Sequence, residues 1–235
     1  MEKRLEIKKF KEENPFEDEQ VAKEWINSIE NEKDLYRDKE IYPRLKKWLN
    51  QQPAGLVVEI GSGQGICSDK LEDFSGKYIG VEPSKTLVKR AKNLYKDNQR
   101  EFVVGDAYHL PIESEKAEAS FSVMVWFHLE NLDKASSELA RILKPGGNFM
   151  IVTANPNAEK TWESFYFDHQ KEGKKITGKV RVPINPMSKS IIYQHTQDEI
   201  LNALKSNGLE VLRIDEYGPA NEENIFFSVE GKKIN

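Results

Sequence analysis

A glycine-rich turn with a carboxylate beside it is the first feature of the sequence that could do chemistry. The segment Glu59-Ile60-Gly61-Ser62-Gly63-Gln64-Gly65 closes a short apolar run that begins at residue 56. Glycines at such a turn let the backbone approach a ligand closely and take positive φ angles. A helix that begins there directs free N–H groups and a partial positive charge at an anionic group. The segment predicts a ligand-binding turn, with an ordinary tight strand-to-helix turn as the alternative.

Two common nucleotide-binding motifs do not fit this turn. The dinucleotide fingerprint requires glycine or alanine three residues after Gly63, and the chain has Ile66 there. A P-loop requires Gly-Lys-Ser or Gly-Lys-Thr after the turn, and that sequence does not follow. The turn therefore disfavours a nicotinamide-dependent oxidoreductase and a P-loop enzyme.

Two further carboxylates stand at the ends of predicted strands. Glu82-Pro83 follows the run at residues 78–81, and Gly105-Asp106-Ala107 follows the run at 101–104. A carboxylate after the second strand can accept hydrogen bonds from vicinal ribose hydroxyls. One after the third strand can accept a bond from an exocyclic adenine amine. The simpler alternatives are an acid at a helix N-terminus for Glu82 and a turn residue for Asp106.

These candidates are positioned by an alternation of strands and helices. Short β-forming runs are predicted at residues 56–60, 78–81, 101–104, 120–125 and 148–153, and helices at 65–74, 84–98 and 132–143. This alternation predicts βαβ units and a mostly parallel sheet. A capping box of Thr196 with Glu199 predicts a later helix. Two strands at 210–216 and 225–229, joined through Gly218-Pro219, predict an antiparallel pair.

Two regions lie outside this alternation. Residues 1–52 carry apolar positions at helical spacing, such as Val21, Trp25 and Ile29, and predict an N-terminal helical cap before a domain at 53–235. Residues 155–195 lack core periodicity and predict a lid or substrate-binding insertion. Within that insertion, a loop is predicted at 171–179 and short strands at 180–184 and 191–194.

The composition excludes several classes of protein. The 235 residues carry a net charge of -4, which gives no basic footprint for DNA or an anionic membrane. The single cysteine, Cys67, excludes an internal disulfide framework and a cysteine-rich metal site. The N-terminus is charged and no apolar run approaches the ~20 residues that a membrane span needs. We expect a cytoplasmic protein without a metal, as a monomer or homodimer.

Taken in order, the motifs resemble those of class I S-adenosylmethionine-dependent methyltransferases of the small-molecule type. The resemblance covers residues 55–153 and includes the glycine turn, both strand-end acids, the region 120–129 and Leu143-Lys144-Pro145-Gly146-Gly147. It implies a Rossmann-like, doubly wound α/β fold with a seven-stranded sheet whose last strand is antiparallel. It also implies S-adenosylmethionine as the cofactor and S-adenosylhomocysteine as its product.

The resemblance also implies which residues bind the cofactor. They are Tyr36, Arg37, Glu59, Gly61, Ser62, Gly63, Gly65, Glu82, Pro83, Gly105, Asp106, Ala107 and Ser122. Among them, Glu82 would bind the ribose, Asp106 the adenine and Arg37 the methionine carboxylate, although Arg37 also fits a solvated charge on a helix. Many relatives carry an aspartate early in the fourth strand, where this chain has Glu118.

The methyl acceptor is less well defined. Methyl transfer needs the reactants held in line, and a general base only if the acceptor loses a proton. His128 is the candidate base, and Trp126, Tyr166, His169 and Tyr193 are the candidates on the substrate side. The Asn/Asp-Pro-Pro-Tyr/Phe and Pro-Cys motifs of DNA-methylating relatives are missing. We expect methylation of an oxygen, nitrogen or carbon of a small molecule. The alternatives are an RNA or protein methyltransferase and a catalytically silent cofactor-binding protein.

Overall fold

The apolar runs form strands and the amphipathic stretches form helices around one central sheet. The computed structural model describes residues 14–31, 36–71, 76–182, 185–220 and 223–234. The helices are α1 (Glu19–Asn31), α2 (Tyr42–Leu49), α3 (Lys85–Leu94), α4 (Leu132–Ile142), α5 (Glu159–Ser164) and α6 (Gln197–Ser206). The strands are β1 (Leu56–Ile60), β2 (Lys77–Glu82), β3 (Arg100–Val104), β4 (Ala117–Val123), β5 (Leu143–Ala154), β6 (Tyr166–Glu172), β7 (Lys175–Val182), β8 (Asn185–Tyr193), β9 (Leu209–Tyr217) and β10 (Phe226–Lys233).

The central sheet has seven strands in the order β3-β2-β1-β4-β5-β10-β9. Neighbouring strands from β3 to β5 are parallel, whereas β10 runs antiparallel to both β5 and β9. The predicted Rossmann-like fold with a mostly parallel seven-stranded sheet and an antiparallel last strand is therefore confirmed. The strand order reverses between β1 and β4. The connections that follow these two strands therefore leave on opposite faces of the sheet, and a crevice lies between them at the carboxyl ends of the strands.

Helices cover both faces of this sheet because successive strand residues point to opposite sides. Val57 packs in a cluster with α2 and α3, while Val58 packs in a cluster with α4 and α6. Both side chains are fully buried. A strand covered on both faces needs a nearly continuous apolar run, which explains the composition of β1.

Two predicted helices are shorter than their sequence pattern indicates. The helix predicted at 84–98 ends at Leu94, because the Asp97 carboxylate accepts bonds from the backbone N–H groups of Gln99 and Arg100 and forms a turn instead. The helix predicted at 65–74 is a 3-10 helix that spans Ile66–Leu71, and residues 72–75 lie outside the described ranges.

The insertion is a separate three-stranded antiparallel sheet in the order β6-β7-β8. The loop predicted at 171–179 is wrong, since these residues belong to β6, a two-residue turn and β7. Ile176 and Val180 point into a small core with Met187 and Ile192, which outweighs the polar composition. Gly178 lies within β7. Glycine is needed at this position because a Cβ there would come within 2.6 Å of the Cβ of His169.

The N-terminal helices pack against one face of the central sheet and against the insertion. In α2, Leu45, Trp48 and Leu49 are buried in the core cluster on one face of the central sheet. The Glu24 carboxylate of α1 accepts bonds from the backbone N–H and the hydroxyl of Ser188 in β8, both at 2.8 Å. The predicted cap includes residues 1–13 and 32–35, which lie outside the described residues, and its boundary at residue 52 stays a prediction.

Candidate functional site

A cavity of about 1120 Å³ lies at the crevice between β1 and β4. Pockets for drug-sized ligands are usually about 300–1,000 Å³, so this cavity has room for two small molecules. The following predicted cofactor-binding residues line it: Tyr36, Arg37, Glu59, Gly61, Ser62, Gly63, Glu82, Pro83, Gly105, Asp106 and Ala107. The sheet topology brings these residues together because the parallel strands end at the same edge.

The glycine turn is held against the neighbouring strand. The backbone N–H groups of Gly61 and Ser62 donate to the Val81 carbonyl at 2.8 and 3.1 Å. Gly61 has a φ of +74°, and a Cβ there would come within 2.3 Å of Val125 Cγ2. At Gly63, with a φ of +54°, a Cβ would have only the Trp25 indole nitrogen nearby, at 3.8 Å. The backbone at Gly63 is therefore open to a ligand.

Two of the predicted cofactor-binding residues lie outside the cavity lining. Gly65 faces β3, where a Cβ would come within 2.6 Å of the Phe102 ring. Its glycine is needed for close packing of the turn on that strand. Ser122 is buried on β4 between Phe121 and Val123, which pack with α2, so strand alternation points Ser122 to the opposite face of the sheet.

Glu82 is the acid best placed to accept bonds from a ligand. Its two carboxylate oxygens accept from the backbone N–H groups of Ser84 at 2.9 Å and Gly63 at 3.1 Å. An ionised carboxylate has about four lone-pair sites, so further donors can be accepted. Burial raises the pKa of Glu82 to about 7, and the negative charge of Glu17 acts in the same direction.

Glu59 is a second buried carboxylate on the cavity wall. Burial raises its pKa to about 7, although hydrogen bonds from Tyr78 and Cys67 and the positive charge of Arg37 oppose this shift. The Tyr78 hydroxyl donates to one Glu59 oxygen. This bond ties the carboxylate at the end of β1 to β2.

The third strand ends in a turn that presents Asp106. The Asp106 carboxylate accepts a bond from the backbone N–H of Tyr108 at 2.8 Å. Gly105 packs closely below it, because a Cβ there would come within 2.6 Å of Pro111 Cδ. Asp106 therefore stabilises the turn after β3 and also lies in the cavity lining, so it fits both interpretations drawn from the sequence.

Arg37 extends over the opposite side of the cavity. Its guanidinium lies 5.1 Å from the centroid of the Trp25 ring, a cation–π distance. The positive charge of Arg37 lowers the pKa of both His128 and Glu59. Arg37 therefore favours a neutral His128 and a negatively charged Glu59 in the cavity lining.

The cavity has unsatisfied groups that fit a polar cofactor. The buried Ser62 hydroxyl, inside the glycine turn, has no hydrogen-bond partner among the described residues. Buried polar atoms are nearly always paired, so such an atom beside a cavity indicates a missing partner. With the open backbone at Gly63 and the acceptor Glu82, the turn has the donor and acceptor set for a nucleoside with an amino-acid tail.

Comparison with known proteins places this geometry in a family. Residues 58–151 match a family model described as a methyltransferase domain. The matched domain spans 94 of the 235 residues (151 minus 58 plus 1). It supports the class I S-adenosylmethionine-dependent methyltransferase family predicted from the motifs, and S-adenosylmethionine as the cofactor.

The individual relatives of this chain are distant. A mouse tRNA (carboxymethyluridine(34)-5-O)-methyltransferase is 30% identical over 58% of this chain and 20% of its own length. A sterol 24-C-methyltransferase of Saccharomyces cerevisiae is 25% identical over 73% of this chain and 43% of its own length. The matches thus span less than half the length of these relatives. A crystal structure of an S-adenosylmethionine-dependent methyltransferase from Mesorhizobium loti has a TM-score of 0.63 at 17% identity and covers 81% of this chain and 96% of its own.

Glu118 lies early in β4, where the resemblance led us to expect an aspartate. Its carboxylate accepts a bond from the backbone N–H of Leu56 at 2.6 Å and pairs with Lys144 of the Leu-Lys-Pro-Gly-Gly segment. The Lys144 bond and the Leu56 bond hold the pKa of Glu118 below its ordinary value despite partial burial. Glu118 thus joins the beginnings of β1 and β5, away from the cavity.

His128, the candidate base, lines the cavity. Its Nδ1 lies 2.6 Å from the backbone carbonyl oxygen of Ile191, which can only accept, so Nδ1 carries the hydrogen. Nε2 of the neutral ring is then an acceptor, and it has no hydrogen-bond partner among the described residues. Burial lowers the pKa of His128 to about 4, so the ring is neutral at physiological pH.

Of the four substrate-side candidates, only Tyr166 lines the cavity, with its hydroxyl 3.0 Å from the Ser190 hydroxyl. Trp126 is buried in the core cluster beside α4, on the other side of the loop from His128. His169 faces outward on β6, 3.4 Å from a Glu163 carboxylate oxygen. Tyr193 ends β8, where its ring stacks near His195. Strand and loop geometry therefore removes Trp126, His169 and Tyr193 from the cavity lining.

Several cavity residues were not among the predicted site residues. We call them, together with His128, the aromatic wall: Phe16, Trp25, Phe127, His128, Trp162 and Phe165. Neighbouring rings contact each other in the order Trp25, Phe16, His128, Phe127, Trp162 and Phe165, with centroid distances of 4.0 to 6.1 Å. The insertion aromatics could be suspected from composition, but Phe16 and Phe127 gave no pattern that distinguishes them from core residues.

The described residues contain no group of three or more His, Cys, Asp or Glu side chains arranged to hold a metal ion. Within the same ranges, no helix has the length and apolar content that crossing a bilayer requires.

Proposed function

We propose that the chain transfers a methyl group from S-adenosylmethionine to an oxygen, nitrogen or carbon nucleophile of a small molecule. The observation that carries this proposal is the continuity of the cavity. The glycine turn with Glu82 and the aromatic wall with His128 line the same space. A cofactor on the turn and an acceptor on the wall would therefore share one enclosed site.

The residues of the turn and the strand ends would hold the cofactor. In this proposal Gly61 and Gly63 approach its methionine part, Arg37 pairs with the methionine carboxylate, Glu82 accepts from the ribose hydroxyls and Asp106 from the adenine amine. When bound, S-adenosylmethionine supplies an electrophilic methyl group on a sulfonium. The buried Ser62 hydroxyl supports the assignment, because a bound polar ligand would satisfy it.

The chain contributes mainly by positioning and by excluding water. Holding two reactants in line can be worth an effective concentration of about 10⁵ M or more. The aromatic wall would hold the acceptor, and Nε2 of His128 would take its proton. A histidine of low pKa is a weak base, so it suits an acceptor whose proton becomes strongly acidic as its heteroatom gains a fourth substituent or a positive charge.

RNA methylation is the second candidate. The tRNA methyltransferase among the relatives favours it. The sterol methyltransferase favours a small apolar acceptor instead. The net charge of -4 gives no basic surface footprint for a polyanion. We propose the small molecule, acting in the cytoplasm without a membrane or DNA partner, as a monomer or homodimer.

Two experiments test the proposal in sequence. Titration with S-adenosylhomocysteine by calorimetry tests the cofactor site, and absence of binding at millimolar ligand would refute the proposed function. Incubation with methyl-labelled S-adenosylmethionine and either a metabolite extract or bulk tRNA then tests the acceptor. Label in the metabolites supports the proposal, and label in tRNA alone supports the second candidate. Cofactor binding without label in either pool would favour the catalytically silent alternative.

A further inference from the structure

The aromatic wall of the cavity is assembled from three distant parts of the chain. Phe16 and Trp25 come from the N-terminal region, Phe127 and His128 from the loop after β4, and Trp162 with Phe165 from the insertion. The ring centroids of Trp25 and Phe16 are 5.8 Å apart, and those of Phe127 and Trp162 are 6.1 Å apart. These distances are typical of packed aromatic pairs, so the wall is a continuous apolar surface.

The formally charged side chains of the cavity lining do not belong to the six residues of the aromatic wall. The acids that line the cavity include Glu17, Glu82 and Asp106, and Glu17 acts on the pKa of Glu82, on the proposed ribose side. Arg37, whose guanidinium lies 5.1 Å from the Trp25 ring centroid, and Lys134 are cations of the same lining. In the proposed function the charge of Arg37 is used by the cofactor. A charged acceptor that lies on the wall would lose hydration there, and the wall itself supplies no counter-ion.

Several polar atoms on or beside the wall already have a partner. The Trp162 indole N–H donates to the Ile225 carbonyl at 2.8 Å, and the hydroxyls of Tyr166 and Ser190, two further residues of the cavity lining, pair with each other. His128 Nδ1–H donates to the Ile191 carbonyl of β8. Among the described residues, neither Nε2 of His128 nor the indole N–H of Trp25 has a hydrogen-bond partner, and the Ile191 bond fixes Nε2 as an acceptor. The wall therefore offers a ligand an apolar surface, one hydrogen-bond acceptor at His128 and one donor at Trp25.

We propose that the aromatic wall selects an acceptor that is uncharged and mainly apolar and that presents one O–H or N–H group to Nε2 of His128. This inference rests on the proposed function and specifies its substrate class. A ligand without the donor leaves Nε2 buried and unpaired, so it binds more weakly than one of the same shape that carries the donor. The insertion contributes to this selection twice, through the rings of Trp162 and Phe165 and through the Ile191 carbonyl that sets the tautomer.

The test compares three ligands of one shape: 2-naphthol, its methyl ether 2-methoxynaphthalene, and the anion 2-naphthoate. Equilibrium dialysis at pH 7.5 measures their binding to the full chain saturated with S-adenosylhomocysteine. We expect 2-naphthol to bind about tenfold more tightly than either of the others, since one buried hydrogen bond is at stake. In His128→Phe, 2-naphthol should bind no better than its methyl ether.

His195→Phe is the matched control, because His195 also bonds a backbone carbonyl, that of Leu129 at 2.7 Å, but does not line the cavity. It should leave all three affinities unchanged. The comparison of the three ligands on the native chain stands even if His128→Phe does not fold. Equal binding of 2-naphthol and its methyl ether, tighter binding of 2-naphthoate, or no binding of any of them would overturn the inference. Failure of S-adenosylhomocysteine itself to bind would overturn the proposed function and this inference with it.

Discussion

Replacement of Glu82 by glutamine tests the cofactor site most directly. The Glu82 carboxylate accepts from the backbone N–H groups of Gly63 and Ser84 and, in the proposed function, from two ribose hydroxyls. Glutamine has one carbonyl oxygen and adds an NH₂ group, so at least one of these donors faces another donor. Hydrogen bonds to a charged group are each worth about 1.5–3 kcal/mol. We expect a loss of about 3 kcal/mol in the free energy of binding, or about a hundredfold in Kd.

Calorimetric titration with S-adenosylhomocysteine at pH 8 measures this loss. Glu101→Gln is the matched control, because Glu101 is an exposed residue of the neighbouring strand β3 and does not line the cavity. It should bind the ligand as the native chain does. A Kd for Glu82→Gln within threefold of the native value would remove Glu82 from the ribose role.

The same titration has a predicted pH dependence. Burial raises the pKa of Glu82 to about 7, whereas hydroxyl donors from a ligand favour the charged form. Native affinity should therefore rise between pH 6 and pH 8 and level off above, with a smaller rise in Glu82→Gln. The free energy of unfolding of the chain without ligand should change with pH in the opposite direction. The raised pKa of Glu82 stabilises the fold below the ordinary value of 4.5, and this contribution is lost as the pH rises through about 7. Affinity that falls over this range would contradict the assignment.

Two further predictions concern the frame of the site. Gly61→Ala should lower the free energy of unfolding by at least about 1 kcal/mol more than Gly146→Ala, because both glycines have a φ of +74° but only at Gly61 would the new Cβ contact a neighbour. Thermal unfolding measures the difference, and equal losses would show that backbone strain alone decides. Glu30→Gln removes a two-bond ion pair with Arg90 that joins α1 to α3, and should cost less than about 1 kcal/mol because both side chains are about one-third exposed. Amide hydrogen exchange in α1 should become faster, and unchanged exchange would show that other contacts hold the helix.

The local sequence was sufficient for the cofactor side of the site. Parallel strands end at one edge, so an acid at the end of β2 and another after β3 must lie near the turn after β1. This rule predicted the positions of Glu82 and Asp106 beside the glycine turn, and all three line the cavity. The Leu-Lys-Pro-Gly-Gly segment that begins β5 was equally local, and it is one of the motifs that predicted the family.

Composition misled the prediction where tertiary packing outweighs it. The segment 171–179 is rich in lysine and glycine, yet it forms β6 and β7, because Ile176 and Val180 can be buried against β8. Gly65 belongs to the motif but supports the turn against Phe102. Trp126 and His128 are two residues apart in the sequence. Trp126 is buried in the core and His128 lines the cavity, and only the local backbone geometry decides between these two positions.

The sequence by itself therefore determined the fold and predicted the residues of the proposed cofactor side, since both follow from motifs whose residues are close in the chain. The residues of the proposed acceptor side are brought together only by the tertiary structure. Phe16 and Phe165 contribute to one wall although 149 positions separate them in the sequence (165 minus 16). The tautomer of His128 depends on the carbonyl of Ile191, a residue 63 positions away. Burial and hydrogen bonding of this kind depend on which surfaces meet, and no local pattern records that.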